Sequence, residues 1–552
     1  MKTSLAPPRV LPARPSVPGP LNRFLAFAKA AYAGLTPDQK AGALVALTAA
    51  ILSVWNVVQA TGYQDDEGTY TAQALSSLRG DLAPYTYWYD HPPLGWLQLA
   101  GLSWIPLVLG QGGESAVGQM RYVTAVFFVC SAVLVFLVAR RLQLRTPIAV
   151  MAGLLFSLSP LSLVLGRQVF IDNVGVPWLL LSFYLALCPQ VKLWNHIGAG
   201  LCFAVAIMSK ETLAIFGPTL LLALVHRPFW QTRLFSVVGF LSAGGLALAF
   251  YPLMAALRGE LITGQGHVSL QDALSFQFIS REGSGSFFDP ASDRAELVQG
   301  WLYYDSPLIL AGLGASLLCL LRHDTRWIPA GLLLFSVPVV LGNGYLPAMY
   351  IIASVPFLAL AVAVATDLAW RTVTRRVSSL PGFGEQAAPS KNTLLFRRLV
   401  RAGTAAVLVI ALGALLLPHW LPINRSVLTA HENADWDRTL QWTKDHLPHE
   451  DTALVPYSMW SDLNADGRHD PWKVIALEKM DRDSDFEVHH DGWRDIDWII
   501  EGPSTGRNID GLGLTNASIA LENSRVVATF GAWKVREVLN DGARSTSTAP
   551  GA

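Results

Sequence analysis

Three consecutive carboxylates, Asp65, Asp66 and Glu67, directly follow an apolar run, Ala41 to Ala60, that is long enough to cross a bilayer, so they are delivered to the water side of a membrane. Acids placed there can take a proton from a hydroxyl. They can equally cap a helix, because free N–H groups and the helix dipole favour negative charge in a first turn. The residues alone leave both readings open. Tyr70 stands four after Asp66, and Ala72, Leu75 and Leu78 recur at threes, which suits a short amphipathic helix lying along the interface. Beyond it, Pro84, Tyr85, Tyr87, Trp88 and Tyr89 bring rings of the kind that gather at headgroup level, and Asp90-His91-Pro92-Pro93 forms a stiff, non-helical corner.

Cations stand at the same kind of boundary. Arg167 and Asp172 lie five apart in GRQVFIDN. A boundary arginine costs roughly 2.5 kcal/mol or more unless paired or wet, so Asp172 either neutralises Arg167 or shares a site with it. Lys210, in MSKET, pairs with Glu211 or points at an anion near the membrane face. Arg281, in QFISREGSGSFFDP, precedes a Gly/Ser-rich turn of the long outer loop 258–303 and is either surface charge or a fourth member of the set.

The pattern DExxY (Asp66, Glu67, Tyr70), followed about twenty residues later by HPPLG (His91 to Gly95), resembles the first outer loop of protein O-mannosyltransferases. It is similar also to the transferase that attaches aminoarabinose to lipid A. Both are C-type, polyprenyl-phosphate-dependent membrane glycosyltransferases. The resemblance implies Asp66 as the catalytic base, with Glu67 orienting the acceptor and Tyr70 and Asp172 in support. Four cations at one membrane face, His91, Arg167, Lys210 and Arg281, in a chain without a nucleotide-binding motif, then suit the phosphate of a donor carried on an isoprenoid tail, and both relatives likewise carry an arginine followed by an aspartate in the second outer loop. Two departures stand out: His91 replaces the lysine of the lipid A enzyme, and Trp96 replaces the lysine that follows HPPLG in eukaryotic O-mannosyltransferases. No metal or cofactor is implied.

The scaffold for such a site is legible in the composition. With 52% hydrophobic and only 15% charged residues in 552, and a mean hydropathy of +0.36, the chain suits a multispanning α-helical membrane protein and not an ordinary soluble enzyme. The cysteines, Cys130, Cys188, Cys202 and Cys319, sit in apolar runs and offer neither a disulfide framework nor zinc spacing. Residues 1–37 read as a basic, proline-rich cytoplasmic tail without a cleavage site. After the first span, runs near 118–139, 147–165, 173–188, 195–209, 212–226, 234–257, 306–321, 326–341, 345–368 and 402–421 predict about eleven crossings in a membrane domain of 38–421. The run Leu94 to Gly110, bracketed by prolines, reads as a surface or re-entrant helix. Basic loops fall on alternate connections, with Arg371, Arg375, Arg376, Lys391, Arg397, Arg398 and Arg401 in the longest, which places the N-terminus inside and 61–95 outside. The excess of arginine over lysine suits a GC-rich bacterial genome and hence a bacterial plasma membrane.

From 422 to about 540 the apolar runs shrink to strand length, predicting a small extracytoplasmic α/β domain that ends in a disordered tail, 541–552. Asp462, Asn464, Asp466, Gly467 and Asp470 match part of a calcium loop, but Lys473 stands where its bidentate Glu belongs, so a plain Asp/Asn-rich turn is favoured. The expected activity is transfer of a sugar from a polyprenyl phosphate to an extracytoplasmic hydroxyl of a protein, lipid or envelope glycan, with the inversion that attack opposite the lipid gives. The partners are donor, acceptor and bilayer, with no nucleic acid. The competing reading is a secondary transporter or exporter of a lipid-linked or small polar substrate, with charges lining its path.

Overall fold

An apolar chain in a bilayer must satisfy its own backbone, so helices dominate. The computed structural model describes residues 33–190, 192–226, 230–342, 344–378, 391–465 and 470–539. The basic tail up to residue 32, Arg227, the centre of the longest basic loop at 379–390, Asp466 and Gly467 of the acidic turn, and the tail 541–552 lie outside them. Among the described residues, five helical stretches are long and apolar enough to cross a membrane: Ala116–Arg141, Trp230–Leu257, Asp293–Cys319, Ala348–Arg376 and Arg398–His446. Shorter apolar helices, among them Thr146–Leu158, Ile171–Ala186, Leu193–Ser209 and Glu211–Val225, accompany them.

Breaks in the apolar runs are where the structure departs from regular twenty-residue spans. Helix α1 (Pro37–Val54) starts at Thr36, whose hydroxyl accepts the Gln39 N–H at 3.3 Å, with Pro37 in its first turn. It stops at Val54, short of the expected end at Ala60, and Asn56 turns left-handed at φ +50°. The freed carbonyls find buried donors: Arg167 Nη1 serves Leu52 and Trp55, at 3.1 and 2.8 Å, and Arg121 Nη1 serves Val57 and Thr61, at 3.0 and 2.9 Å. Irregular backbone at membrane depth persists only where the protein supplies such partners.

Helix α2 (Asp65–Ser77) follows, and then α3 (Leu94–Leu102), which is no mere surface helix. Trp96 and Leu99 are fully buried, and a Cβ on Gly95 would come within 2.8 Å of the Ser209 carbonyl oxygen, so only glycine admits this approach. Helix α4 (Ala116–Arg141) packs on both α1 and α5 (Ile171–Ala186). Helix α6 (Leu193–Ser209) ends where Lys210 becomes extended, at φ −151° and ψ 112°, before a 3₁₀ turn at Glu211–Phe216. That break points Lys210 and Glu211 at the region beneath α2 and α3.

Helix α7 (Ala434–His446) and a five-stranded sheet make up the C-terminal part. The strands are β1 (Ala453–Val455), β2 (Val474–Ala476), β3 (Trp498–Glu501), β4 (Ser524–Phe530) and β5 (Trp533–Val538), one in each segment with strand-like sequence. Their order is β2-β1-β3-β5-β4, with β1 parallel to both neighbours and β5 antiparallel to both of its own. Leu454, Ile475, Phe486, Ile499 and Leu514 close a separate small core. Helix α8 (Tyr457–Leu463) rests on α2. Its Asp462, first residue of the calcium-like pattern, instead accepts the Ala116 N–H at 3.0 Å and caps α4. Helix α9 (Thr505–Leu512) lies beyond β3.

Candidate active site

The first turn of α2 carries all three acids, and because successive residues of a helix point about 100° apart, each meets a different neighbour. Glu67 turns inward and is fully buried. Its carboxylate is bidentate with Arg121 of α4, Oε1 to Nη2 at 2.6 Å and Oε2 to Nε at 2.8 Å, and Oε2 also accepts the Val169 N–H at 2.9 Å. Asp65 turns the other way: its Oδ2 accepts from Ser504 Oγ and Asn508 Nδ2, both at 2.8 Å. Asp66, between them, is exposed and makes no hydrogen bond or ion pair among the described residues. Although its surface is open, protein crowds it from behind. That burial pushes its pKa up, against the pull of Lys210, His91 and Arg281 and with the help of Asp65.

The Asp90-Pro93 corner presents His91 to the Lys210 break. The Asp90 carboxylate accepts the His91 N–H at 3.0 Å, and the Tyr87 hydroxyl donates to the His91 carbonyl at 2.7 Å, which fixes the backbone that carries the ring. His91 Nδ1 lies 3.0 Å from Glu211 Oε2, and its Nε2 lies 3.2 Å from Lys210 Nζ. Burial opposes a charged His91, but Glu211 and Asp90 outweigh it and the pKa is raised. Lys210 is 3% exposed, so its ammonium is desolvated and held by Glu211 at 3.6 Å. Arg281 follows a π turn at Phe276–Ser280; it donates to Gln277 Oε1 at 2.9 Å and lies 3.6 Å over the Tyr345 ring. Tyr70, one turn after Asp66 and buried, has its ring centroid 6.0 Å from that of His91. Burial, with Asp66, Asp172 and Asp90 around it, holds the Tyr70 hydroxyl protonated.

The fold therefore brings Asp66, Tyr70, His91, Lys210 and Arg281 to one place, and Asp172 of α5, buried with its Oδ2 unpartnered, lies behind Lys210. Two expectations need correction. Arg167 does not join the cations: it is 2% exposed, its Nε donates to the Leu163 carbonyl at 2.7 Å and its Nη1 to the end of α1, and it forms no ion pair with Asp172. Direct contact between Glu67 and an acceptor does not fit a carboxylate with both oxygens already engaged by buried donors. Spacing does not single out Arg121 or Tyr345, and it marks Glu211 only as a partner for Lys210. Arg121 had a signal, a cation inside an apolar run, which is costly enough in a membrane to mark a partner.

Residues 90–255, from the Asp90-His91 corner through Lys210 and Glu211, match the family model described as dolichyl-phosphate-mannose-protein mannosyltransferase. The fold matches ArnT from Cupriavidus metallidurans, solved bound to undecaprenyl phosphate, with a TM-score of 0.55 at 14% identity over 90% of this chain and 98% of that one. The chain has the fold of the C-type membrane glycosyltransferases. A second glycosyltransferase of this type, the archaeal oligosaccharyltransferase AglB from Archaeoglobus fulgidus, solved with an inhibitory peptide and a dolichol-phosphate, matches with a TM-score of 0.52 at 12% identity over 91% of this chain and 74% of that one. No curated protein sequence matches the chain.

Proposed function

We propose that this C-type glycosyltransferase moves a sugar from a polyprenyl phosphate to a hydroxyl of an extracytoplasmic acceptor, with Asp66 as the general base. The observation that carries this reading is the free, exposed Asp66 carboxylate beside His91, Lys210 and Arg281. The donor phosphate lies among these three cations. The acceptor hydroxyl gives its proton to Asp66 while its oxygen bonds to the anomeric carbon. The bond from that carbon to the phosphate oxygen breaks, and its electron pair stays on the polyprenyl phosphate, whose growing charge Lys210 and Arg281 stabilise. Attack from the side opposite the leaving group inverts the anomeric carbon. Glu67 and Arg121 hold α2 in place and do not touch the acceptor. Mass spectrometry of envelope glycans, glycolipids and secreted proteins from cells with and without this chain tests the reading: one glycoconjugate should lose a single sugar, and identical profiles would refute it.

The phosphate site makes a separate prediction. Lys210→Ala should weaken undecaprenyl phosphate binding in detergent about 10-fold or more, the effect of losing one desolvated charge-assisted contact. The raised pKa of His91 sets a direction in pH: the ring is charged below that pKa, so affinity is fullest at lower pH and falls as pH rises through it. His91→Gln should flatten this slope when binding is measured by titration. An unchanged slope would remove His91 from the phosphate site.

The same reading includes about eleven crossings, a bacterial plasma membrane, a cytoplasmic N-terminus and a C-terminal α/β domain on the outer face. In a background with the native cysteines replaced by serine, a membrane-impermeant thiol reagent should label a cysteine placed at the exposed Ser484 and not one at the exposed Thr372. The reverse pattern would invert the topology.

A further inference from the structure

The Asp65 contacts leave something unaccounted for by donor binding and by proton transfer. A first-turn acid could have capped its own helix, yet Asp65 Oδ2 reaches outward to Ser504 Oγ and Asn508 Nδ2 at the start of α9. These partners stand 439 and 443 residues away in sequence. Three residues on, Gly68 meets the same part of the molecule. A Cβ there would overlap the carbonyl of Tyr457 and the amide nitrogen of Ser458, so α8 sits on the bare backbone of α2. The segment leading into α2 is tied down as well: Asn433 Oδ1 accepts the Tyr63 N–H at 2.9 Å, and Asn433 Nδ2 donates to the Thr61 carbonyl at 2.9 Å.

We propose that the C-terminal α/β part is a working piece of the catalytic apparatus, gripping the acidic helix through Asp65 and Gly68 so that Asp66 is aimed at the reacting carbon, with Asp65 as a positioning residue. The inference rests on the assignment of Asp66 as base. Its physical content is that α2 is clamped on two sides of one turn. The Glu67–Arg121 pair holds it to the membrane helices, the Asp65–Ser504–Asn508 contacts hold it to the C-terminal part, and the acid between the two clamps is the one left free. Releasing the outer clamp lets the first turn swing about the inner one. A displacement of about 1 Å at a reacting group costs turnover up to about 100-fold without loss of binding.

The test compares four variants of the full-length chain, each reintroduced into cells lacking it and matched for membrane expression. The readouts are the rate of formation of the glycoconjugate that distinguishes cells with and without the chain, and undecaprenyl phosphate affinity of the purified protein. The double variant Ser504→Ala/Asn508→Ala and the single variant Gly68→Ala should each form product about 10-fold more slowly or worse while binding undecaprenyl phosphate within twofold of the unaltered chain. Ser504→Thr, which keeps the hydroxyl, should stay within twofold in both readouts. Asp66→Asn calibrates the loss of the base itself. If the double variant and Gly68→Ala keep full turnover while Asp66→Asn is inactive, the clamp does not position the base and the inference is overturned. If they lose turnover and undecaprenyl phosphate binding together, the contact only holds the fold, and the inference falls in that case too. If Asp66→Asn is itself fully active, the underlying base assignment has failed and takes the clamp with it.

Discussion

Asp66→Asn should lower turnover by roughly 100-fold or more while leaving undecaprenyl phosphate bound as tightly as before, the usual range for losing a general base. The amide keeps the size of the carboxylate and cannot accept the proton. Nothing structural depends on the exchange, because Asp66 makes no hydrogen bond or ion pair among the described residues. Its neighbours are equally informative: Glu67 holds a buried arginine and Asp65 holds α9, so neither is free to serve as base. The pH profile supplies a second signature. Burial raises the pKa of Asp66 above the ordinary carboxylate value, and a base must be deprotonated to act, so turnover is lost as pH falls through that raised pKa. This acid limb should be absent from the residual activity of Asp66→Asn. An Asn variant that turns over normally would sink the assignment.

Arg121→Met should be the most destabilising single change in the site, at about 3–5 kcal/mol, the typical cost of leaving one partner of a buried ion pair behind. Both side chains are fully buried, and the guanidinium does more than neutralise Glu67. It also serves the Val57 and Thr61 carbonyls of the unwound segment after α1 and lies 4.6 Å over the Tyr63 ring. Removing it strands a carboxylate and several backbone acceptors together. Thermal unfolding in detergent should show a clear drop, and the double variant Arg121→Met/Glu67→Gln should recover part of it because no buried charge is then left alone. Melting of Arg121→Met at the temperature of the unaltered chain would mean that the pair does not anchor α2.

The groups of the proposed site are legible as residue types. Asp66, Tyr70, His91, Lys210 and Arg281 all stand out as charged or aromatic groups next to apolar runs, and the fold brings them together. Arg167 stood out for the same reason and is something else, a buried donor for backbone carbonyls that open only because α1 ends at Val54. Its role depends on an irregularity that hydropathy does not register. Glu211 was visible only as a possible partner for Lys210, since its approach to His91 requires α3 and the break after α6 to pack together.

Sequence alone determined the membrane class, the strand-length apolar runs of the C-terminal part, and the kinds of groups available for chemistry, because hydropathy, periodicity and side-chain type are local properties. Tertiary structure decided which of three adjacent acids is free. Asp65, Asp66 and Glu67 share a turn, a charge and nearly a composition, and they differ only in what is packed against each face of the helix. Those partners, Arg121 on one side and Ser504 with Asn508 on the other, come from 54, 439 and 443 residues away, and no local pattern encodes contacts at such separations.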